Sequence, residues 1–193
     1  MIAVTFIYVI FNEFQQIANK KIEVLFSAEQ IAQRTHELAE EIALSDLKDI
    51  LVISVLKGSF VFAADLIRAF HKAGLAPEVE FISISSYGSG TEAGEIQLLQ
   101  DIKTEVSGRD VILIDDILES GNTMQFTRNL MLERGASKVA IITLLDKSIR
   151  RKAKIEADYV GFECPDKFVV GYGMDVGHAF RELPFVGIVT GDA

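Results

Sequence analysis

Val111–Thr123 reads VILIDDILESGNT, and this stretch decides how the rest of the chain is organised. Its apolar, partly β-branched start predicts a strand over Asp110–Ile114, buried in a parallel sheet. The strand emerges directly into Asp115 and Asp116. In an open α/β sheet, ligands bind at the carboxyl ends of the strands. Two adjacent carboxylates there can hold ribose hydroxyls or face a hydrated divalent cation. Magnesium keeps several waters and takes one or two protein carboxylates beside substrate phosphates. Ser120-Gly121-Asn122-Thr123 then leads into a helix. Backbone N–H groups at a helix start, two hydroxyls and a permissive glycine make an anion cradle suited to a phosphate monoester. The plainer alternative is an acidic loop with an ordinary helix cap. A cap needs only one of Ser, Thr or Asn, however, and has no use for two acids at a strand end.

Working outward, the expected loop over Asp115–Thr123 feeds a helix over Met124–Arg134, which Gly135 ends before a strand over Lys138–Leu145. On the other side, Gly108 precedes the central strand and Val79–Ser85 is a further strand. Ser86–Gly94 holds three glycines among small polar residues and reads as a mobile loop. Ile50–Leu56 (ILVISVL) is a buried strand, and Lys57-Gly58-Ser59 turns it into a helix over Phe60–Ala73, closed by Gly74. Ile22–Phe26 is a strand. Ser27 and Gln30 stand at capping-box spacing, ahead of a helix that runs to Ala43 with Ile31, Leu38 and Ile42 at helical intervals. Strands alternating with helices of this length indicate βαβ units and a mostly parallel sheet covered on both sides. The tail differs: Tyr159–Phe162, Phe168–Val170 and Phe185–Val189 are short extended pieces with Gly, Pro and Asp between them, suggesting a small cap. The expectation is one α/β domain over residues 22–193, preceded by an extension of unassigned role over residues 1–21.

Composition narrows the function. The 193 residues are 49% apolar and 24% charged, enough to bury a core and unlike a disordered chain. Nineteen basic against 28 acidic residues give a net charge of −9, which argues against a basic face held on nucleic acid. A single cysteine, Cys164, forbids an intrachain disulfide, excludes the usual thiolate-rich zinc site and fits a reducing, cytoplasmic setting. Met1–Phe11 (MIAVTFIYVIF) is almost wholly apolar, yet shorter than the roughly 20 residues that cross a bilayer. It also lacks the basic flank and cleavage site of a secretory signal. A short strand, a disordered extension or an upstream start codon accounts for it without a membrane.

The familiar nucleotide signatures are missing. No GxxxxGK[ST] or GxGxxG spacing occurs, nor HExxH, and His36, His71 and His178 are scattered. Lys57 and Lys147 stand at strand ends, where an ammonium can meet phosphate or a carbonyl oxygen. Arg150, Arg151, Lys152 and Lys154 form a basic run that reads first as solvated charge and only second as substrate contact. Asp166–Gly173 (DKFVVGYG) sets an aromatic between polar groups, either a wall for stacking a planar base or a packed strand.

Together these residues carry a resemblance. VILIDDILESGNT resembles the phosphoribosyl-pyrophosphate motif of the phosphoribosyltransferases. VLKGS, ISSYGSGT, LLDK and PDKFVVGYGMD narrow the likeness to the bacterial hypoxanthine/guanine type over roughly Ile22–Val189. The resemblance implies the type I phosphoribosyltransferase fold. That is a mostly parallel sheet flanked by helices, with a small base-binding hood from about 159–193 plus N-terminal segments, and a mobile lid. It implies an enzyme of purine salvage that joins hypoxanthine or guanine to 5-phosphoribosyl 1-pyrophosphate with Mg2+. By resemblance, Asp115 and Asp116 serve the ribose hydroxyls and, with Asp175, the metal. Glu119 lies near purine N7 as the catalytic acid–base, and Ser120, Gly121, Asn122 and Thr123 hold the 5′-phosphate. Leu56, Lys57 and Gly58 bind pyrophosphate through a strained peptide for which a cis geometry is allowed. Ser86 and Tyr87 belong to the lid, Lys147 donates to the purine 6-oxo group, Phe168 stacks on the base, Val169 offers backbone groups to its edge, and Arg181 meets pyrophosphate.

Two positions depart from the family pattern, whose first motif acid is usually Glu and third usually Asp; here they are Asp115 and Glu119. The reaction class is unaffected, while rate and base positioning are put in question. A xanthine-preferring or broad 6-oxopurine enzyme is the near alternative, and a nucleotide-sensing regulator built on the same fold is the distant one. The resemblance further implies a cytoplasmic homodimer or homotetramer built through the segment around Lys57 and its following helix, with small-molecule substrates and neither nucleic-acid nor membrane partners.

Overall fold

The computed structural model describes residues 14–17, 20–87 and 95–192. The apolar start of the chain over 1–13 and the 88–94 part of the loop expected over Ser86–Gly94 lie outside the described residues. Two strands, β1 (Phe14–Ile17) and β2 (Lys20–Phe26), precede helix α1 (Ala28–Ala43). Strand β3 (Ile50–Leu56), helix α2 (Phe60–Lys72) and strands β4 (Glu78–Tyr87) and β5 (Glu95–Gln100) follow. Next come β6 (Asp110–Leu118), α3 (Asn122–Glu133), β7 (Lys138–Asp146), a 3-10 turn over Ser148–Arg150, and β8 (Tyr159–Glu163), β9 (Val169–Val170) and β10 (Val186–Asp192).

The strands form a six-stranded sheet in the order β5-β4-β3-β6-β7-β8 and a four-stranded sheet in the order β1-β2-β10-β9. The larger sheet is parallel except for its edge, where β5 runs antiparallel to β4. Side chains alternate across it, as a two-residue period requires. Val52, Ile112, Ile114, Ile142 and Leu144 pack on one face against Ile31 and Leu38 of α1 and Phe62, Leu66 and Phe70 of α2. Leu51, Ile53, Val111, Leu113 and Ile141 pack on the other face with Met124 and Met131 of α3. The Ser27 hydroxyl accepts from the Gln30 N–H, and the Gln30 side chain accepts from the Ser27 N–H, so the expected capping box starts α1.

Several boundaries differ from the sequence-based expectation: β4 runs on to Tyr87, two residues into the expected loop, and β5 has no counterpart in it. Strand β6 does not end at Ile114. It stays paired with β7 through Asp115↔Thr143 and on to Leu118↔Asp146, because the backbone ladder tolerates acids whose side chains leave the sheet. Tyr159–Glu163 pairs with β7 as the far edge of the large sheet and so does not join the cap. The small sheet reaches into the expected N-terminal extension, since β1 pairs with β2 and β2 begins at Lys20. Beneath this small sheet lies its own core of Ile22, Val170, Phe180, Leu183 and Phe185.

Candidate active site

The carboxyl ends of β3, β6 and β7 converge with the 168–175 loop of the small sheet around a cavity of about 590 Å³. Leu56, Lys57, Gly58, Asp116, Glu119, Lys147, Phe168, Val169, Asp175 and Arg181 all line it. Ten of the sequence-predicted site residues, drawn from four separate segments, are thereby brought together.

At the end of β3 the Leu56–Lys57 peptide is cis. The turn is held from beneath by Ser59, whose fully buried hydroxyl donates to Val55 O (2.5 Å) and lies 2.8 Å from Ser54 Oγ. Gly58 is required by its neighbour: a Cβ there would collide with the Asp116 carboxylate. Asp115 and Asp116 follow in β6, with the Asp116 N–H donating to Asp115 Oδ1 (3.1 Å). Burial, reinforced by the Asp116 charge, pushes the Asp115 carboxyl well above the usual carboxylate range. Burial raises Asp116 as well, against hydrogen bonds and the more distant Arg181 charge.

Beyond Leu118 the chain turns into α3. Gly121 caps the helix at φ +81, a left-handed conformation that favours glycine. The helix begins two residues earlier than expected, at Asn122. Asn122 and Thr123 therefore sit in its first turn, where N–H groups have no intrahelical partner. Ser120 Oγ accepts from the Asn122 N–H at 3.4 Å. A helix start of this kind is the geometry that an anion cradle requires.

Lys147 leaves the end of β7 and is 4% exposed. Its Nζ donates to Lys167 O (2.9 Å) and pairs with Glu119 Oε1 (3.1 Å) and, more distantly, Asp166 Oδ1 (3.6 Å). Beside it Phe168 is 56% exposed, an unusual setting for a phenyl ring unless a flat partner covers it. Arg181 pairs with Asp175 (2.6 Å) and donates to Gly173 O (2.5 Å). Ser86 and Tyr87, expected in a loop, are instead the last two residues of β4.

Four contributors escaped the sequence reading. Ser59 is one. Ser85 lines the cavity, and its buried hydroxyl finds no partner among the described residues. Its place beside the predicted Ser86 was the one available clue. Arg150 lines the cavity and binds Asp166 and Glu119. Arg151 donates to the carbonyls of Leu118, Glu119 and Ile155. Both belong to the basic run, but nothing local separates either from solvated charge.

Among the described residues no three His, Cys, Asp or Glu side chains cluster as a metal site. Magnesium needs fewer protein ligands. Asp115 and Asp116 suit it, being adjacent half-buried carboxyls with no ion pair to Lys, Arg or His among the described residues.

Comparison with known proteins agrees. A family model described as "Phosphoribosyl transferase domain" matches residues 22–176. The hypoxanthine-guanine phosphoribosyltransferase of Bacillus subtilis (strain 168) is 44% identical over 170 residues, covering 86% of this chain and 92% of that protein. The enzyme of the same name from Aquifex aeolicus (strain VF5) is 42% identical over 178 residues, covering 91% and 98%. The crystal structure of a Staphylococcus aureus hypoxanthine phosphoribosyltransferase superposes with a TM-score of 0.82 at 39% identity, covering 87% of this chain and 91% of that one. The Trypanosoma cruzi hypoxanthine phosphoribosyltransferase, in complex with the product IMP, superposes at 0.83 with 33% identity, covering 91% and 97%. Likeness of this extent, on a fold that brings Asp116, Glu119, Lys147 and Phe168 to one cavity, shows that the chain belongs to the phosphoribosyltransferase family, in its hypoxanthine-guanine branch.

Proposed function

We propose that the chain transfers the 5-phosphoribosyl group of 5-phospho-α-D-ribose 1-diphosphate to N9 of hypoxanthine or guanine, giving IMP or GMP and diphosphate. The observation that carries this reading is the buried Lys147 ammonium beside the exposed Phe168 ring, in a cavity that also meets the acidic strand end. A planar base stacks on Phe168, Lys147 donates to its 6-oxo oxygen, and backbone groups of Val169 read its edge. Adenine presents a donor at that position. Donor would face donor, and an unpaired buried polar group costs about 1–3 kcal/mol.

The N–H groups of Ser120–Thr123 hold the 5′-phosphate, while Asp115 and Asp116 hold the ribose hydroxyls. Glu119 takes up or returns the N7 proton that a 6-oxopurine must redistribute as N9 is glycosylated. Positive charge develops on the ribose and negative charge on the departing diphosphate, which Lys57, Arg181 and the turn through Gly58 receive. Asp115, Asp116 and Asp175 would hold Mg2+, which supplies charge neutralisation for the diphosphate oxygens when bound. Ser86 and Tyr87 bring the lid over the site, excluding water that would hydrolyse the activated sugar. Association as a homodimer or homotetramer uses the Lys57 turn and α2, where Phe60 is exposed. Among the described residues no helix is long and apolar enough to cross a membrane, in keeping with a cytoplasmic site of action.

The test is steady-state kinetics with hypoxanthine, guanine, xanthine and adenine, with and without Mg2+, on the full chain and on Lys147→Gln. The 6-oxopurines should turn over well and adenine poorly, with activity dependent on the metal. Lys147→Gln should raise KM for hypoxanthine and guanine and narrow the margin over adenine, with little change in KM for phosphoribosyl pyrophosphate. Equal losses for both substrates would show that Lys147 meets phosphate or is structural. A strong preference for xanthine would move the assignment to that neighbouring specificity.

A further inference from the structure

We propose that Arg150 is a positioning residue that receives the Glu119 carboxylate when a 6-oxopurine claims Lys147, an inference that rests on the assignment of Lys147 to the 6-oxo group. A lysine ammonium has three N–H donors and no acceptor. Here it is already surrounded by three oxygens: Lys167 O at 2.9 Å, Glu119 Oε1 at 3.1 Å and Asp166 Oδ1 at 3.6 Å. An incoming oxygen competes with them for the ammonium, and of the three only the Lys167 carbonyl accepts a full hydrogen bond. The Lys167 carbonyl belongs to the backbone next to Phe168 and is not free to leave. Asp166 is anchored by Arg150 Nε at 2.5 Å. Glu119 is the movable partner, on a side chain one methylene longer than the aspartate usual in the family.

A released carboxylate near a buried cation needs another partner, and one is in place. Arg150 Nη1 stands 3.5 Å from the same Glu119 Oε1, while Arg150 Nε is fixed on Asp166. Two cations and two carboxylates thus form a compact neutral group. Shifting Glu119 from Lys147 toward Arg150 leaves its net charge unchanged and frees one ammonium donor for the base. Without Arg150, both half-exposed acids would have Lys147 as their one cation in this group, and base entry would draw it away from Glu119. The arginine touches neither sugar nor phosphate in this scheme, so its effect should follow the 6-oxo group only.

The experiment uses the full chain with Mg2+ and compares hypoxanthine with unsubstituted purine, which has no 6-oxo oxygen, as a competitive inhibitor. Arg150→Ala should raise KM for hypoxanthine about 2- to 5-fold, the scale of a partly exposed charge pair. The inhibition constant of purine and KM for phosphoribosyl pyrophosphate should stay within about twofold. Arg150→Lys should recover part of the loss. In a Glu119→Gln background, with no carboxylate charge to rehouse, Arg150→Ala should change KM for hypoxanthine by less than about twofold. An equal change for purine, the same rise in the Glu119→Gln background, or no change at all would overturn the proposal. Lys147→Gln separates the two failures. If it raises KM for hypoxanthine while Arg150→Ala does not, only the exchange falls; if neither does, the assignment of Lys147 falls first.

Discussion

Asp115 is held in an electrostatically costly place. Burial and the adjacent Asp116 charge both favour its protonated form, which displaces its titration well above the usual value near 3.9. Between that value and the raised one, the folded chain keeps a proton that the unfolded chain has lost. Stability must therefore fall as pH rises through this window. Asp115→Asn should raise the thermal midpoint at neutral pH by a few degrees, at roughly 2–4 °C per kcal/mol for a chain this size. It should also flatten the fall in thermal midpoint expected of the parent chain as pH rises above the ordinary carboxylate value. A lower midpoint at pH 7 would mean that the ionised carboxylate is satisfied in the fold. The same substitution should impair phosphoribosyl transfer, so stability and activity would move in opposite directions, as expected where charge is kept for binding. The acid pair was legible in the sequence because its types and its place after an apolar run are local facts. Its dependence on Gly58 was not, since only folding brings that glycine against Asp116.

The 3-10 turn after β7 buttresses the loop after β6. Arg151 donates to Glu119 O (3.0 Å), Leu118 O (2.9 Å) and Ile155 O (2.7 Å), and it pairs with Asp146. The N–H groups of Lys152 and Ala153 both reach Ser120 O, at 2.9 and 3.0 Å. The proposed phosphate cradle is thus shaped by a neighbouring connection and not by its own residues alone. Arg151→Ala would strip three carbonyls of a charged donor, each loss worth up to about 1–3 kcal/mol where water cannot replace it. The expected result is a thermal midpoint lower by several degrees and a larger rise in KM for phosphoribosyl pyrophosphate than for hypoxanthine. Arg151→Lys should rescue little, because one ammonium cannot reproduce a planar fork that serves three carbonyls. Equal effects on both substrates would assign Arg151 to general stability. Helix α1 shows the opposite case, where Ser27 and Gln30 three residues apart contain the whole instruction for its start.

The molecule is two sheets with the cavity between them, the large one supplying strand ends and the small one supplying Phe168, Val169 and Asp175. Strand β1 is the four-residue outer edge of the small sheet, paired with β2 from Phe14↔Glu23 to Ile17↔Lys20. Because β2 is held on its other side by β10, deletion of residues 1–19 should leave turnover intact. The thermal midpoint should fall by less than about 8 °C, roughly 2–4 kcal/mol for a chain of this size. A larger fall would make the N-terminal segment an essential part of the hood. By itself the sequence determined the alternation of strands and helices, the cap of α1, the limits of β3, and the residue types at the strand ends. Those follow from periodicity and from neighbours a few positions apart, which any stretch of chain carries with it. The tertiary structure alone decided that β6 runs on to Leu118, that Tyr159–Glu163 edges the large sheet, and that Phe14–Ile17 joins the small one. It alone set Lys147 among Glu119, Asp166 and the Lys167 carbonyl, with Arg150 behind the two acids. Strand partners and ion partners are chosen by proximity in space, and a backbone ladder or a buried charge is satisfied by whatever group the fold brings within reach.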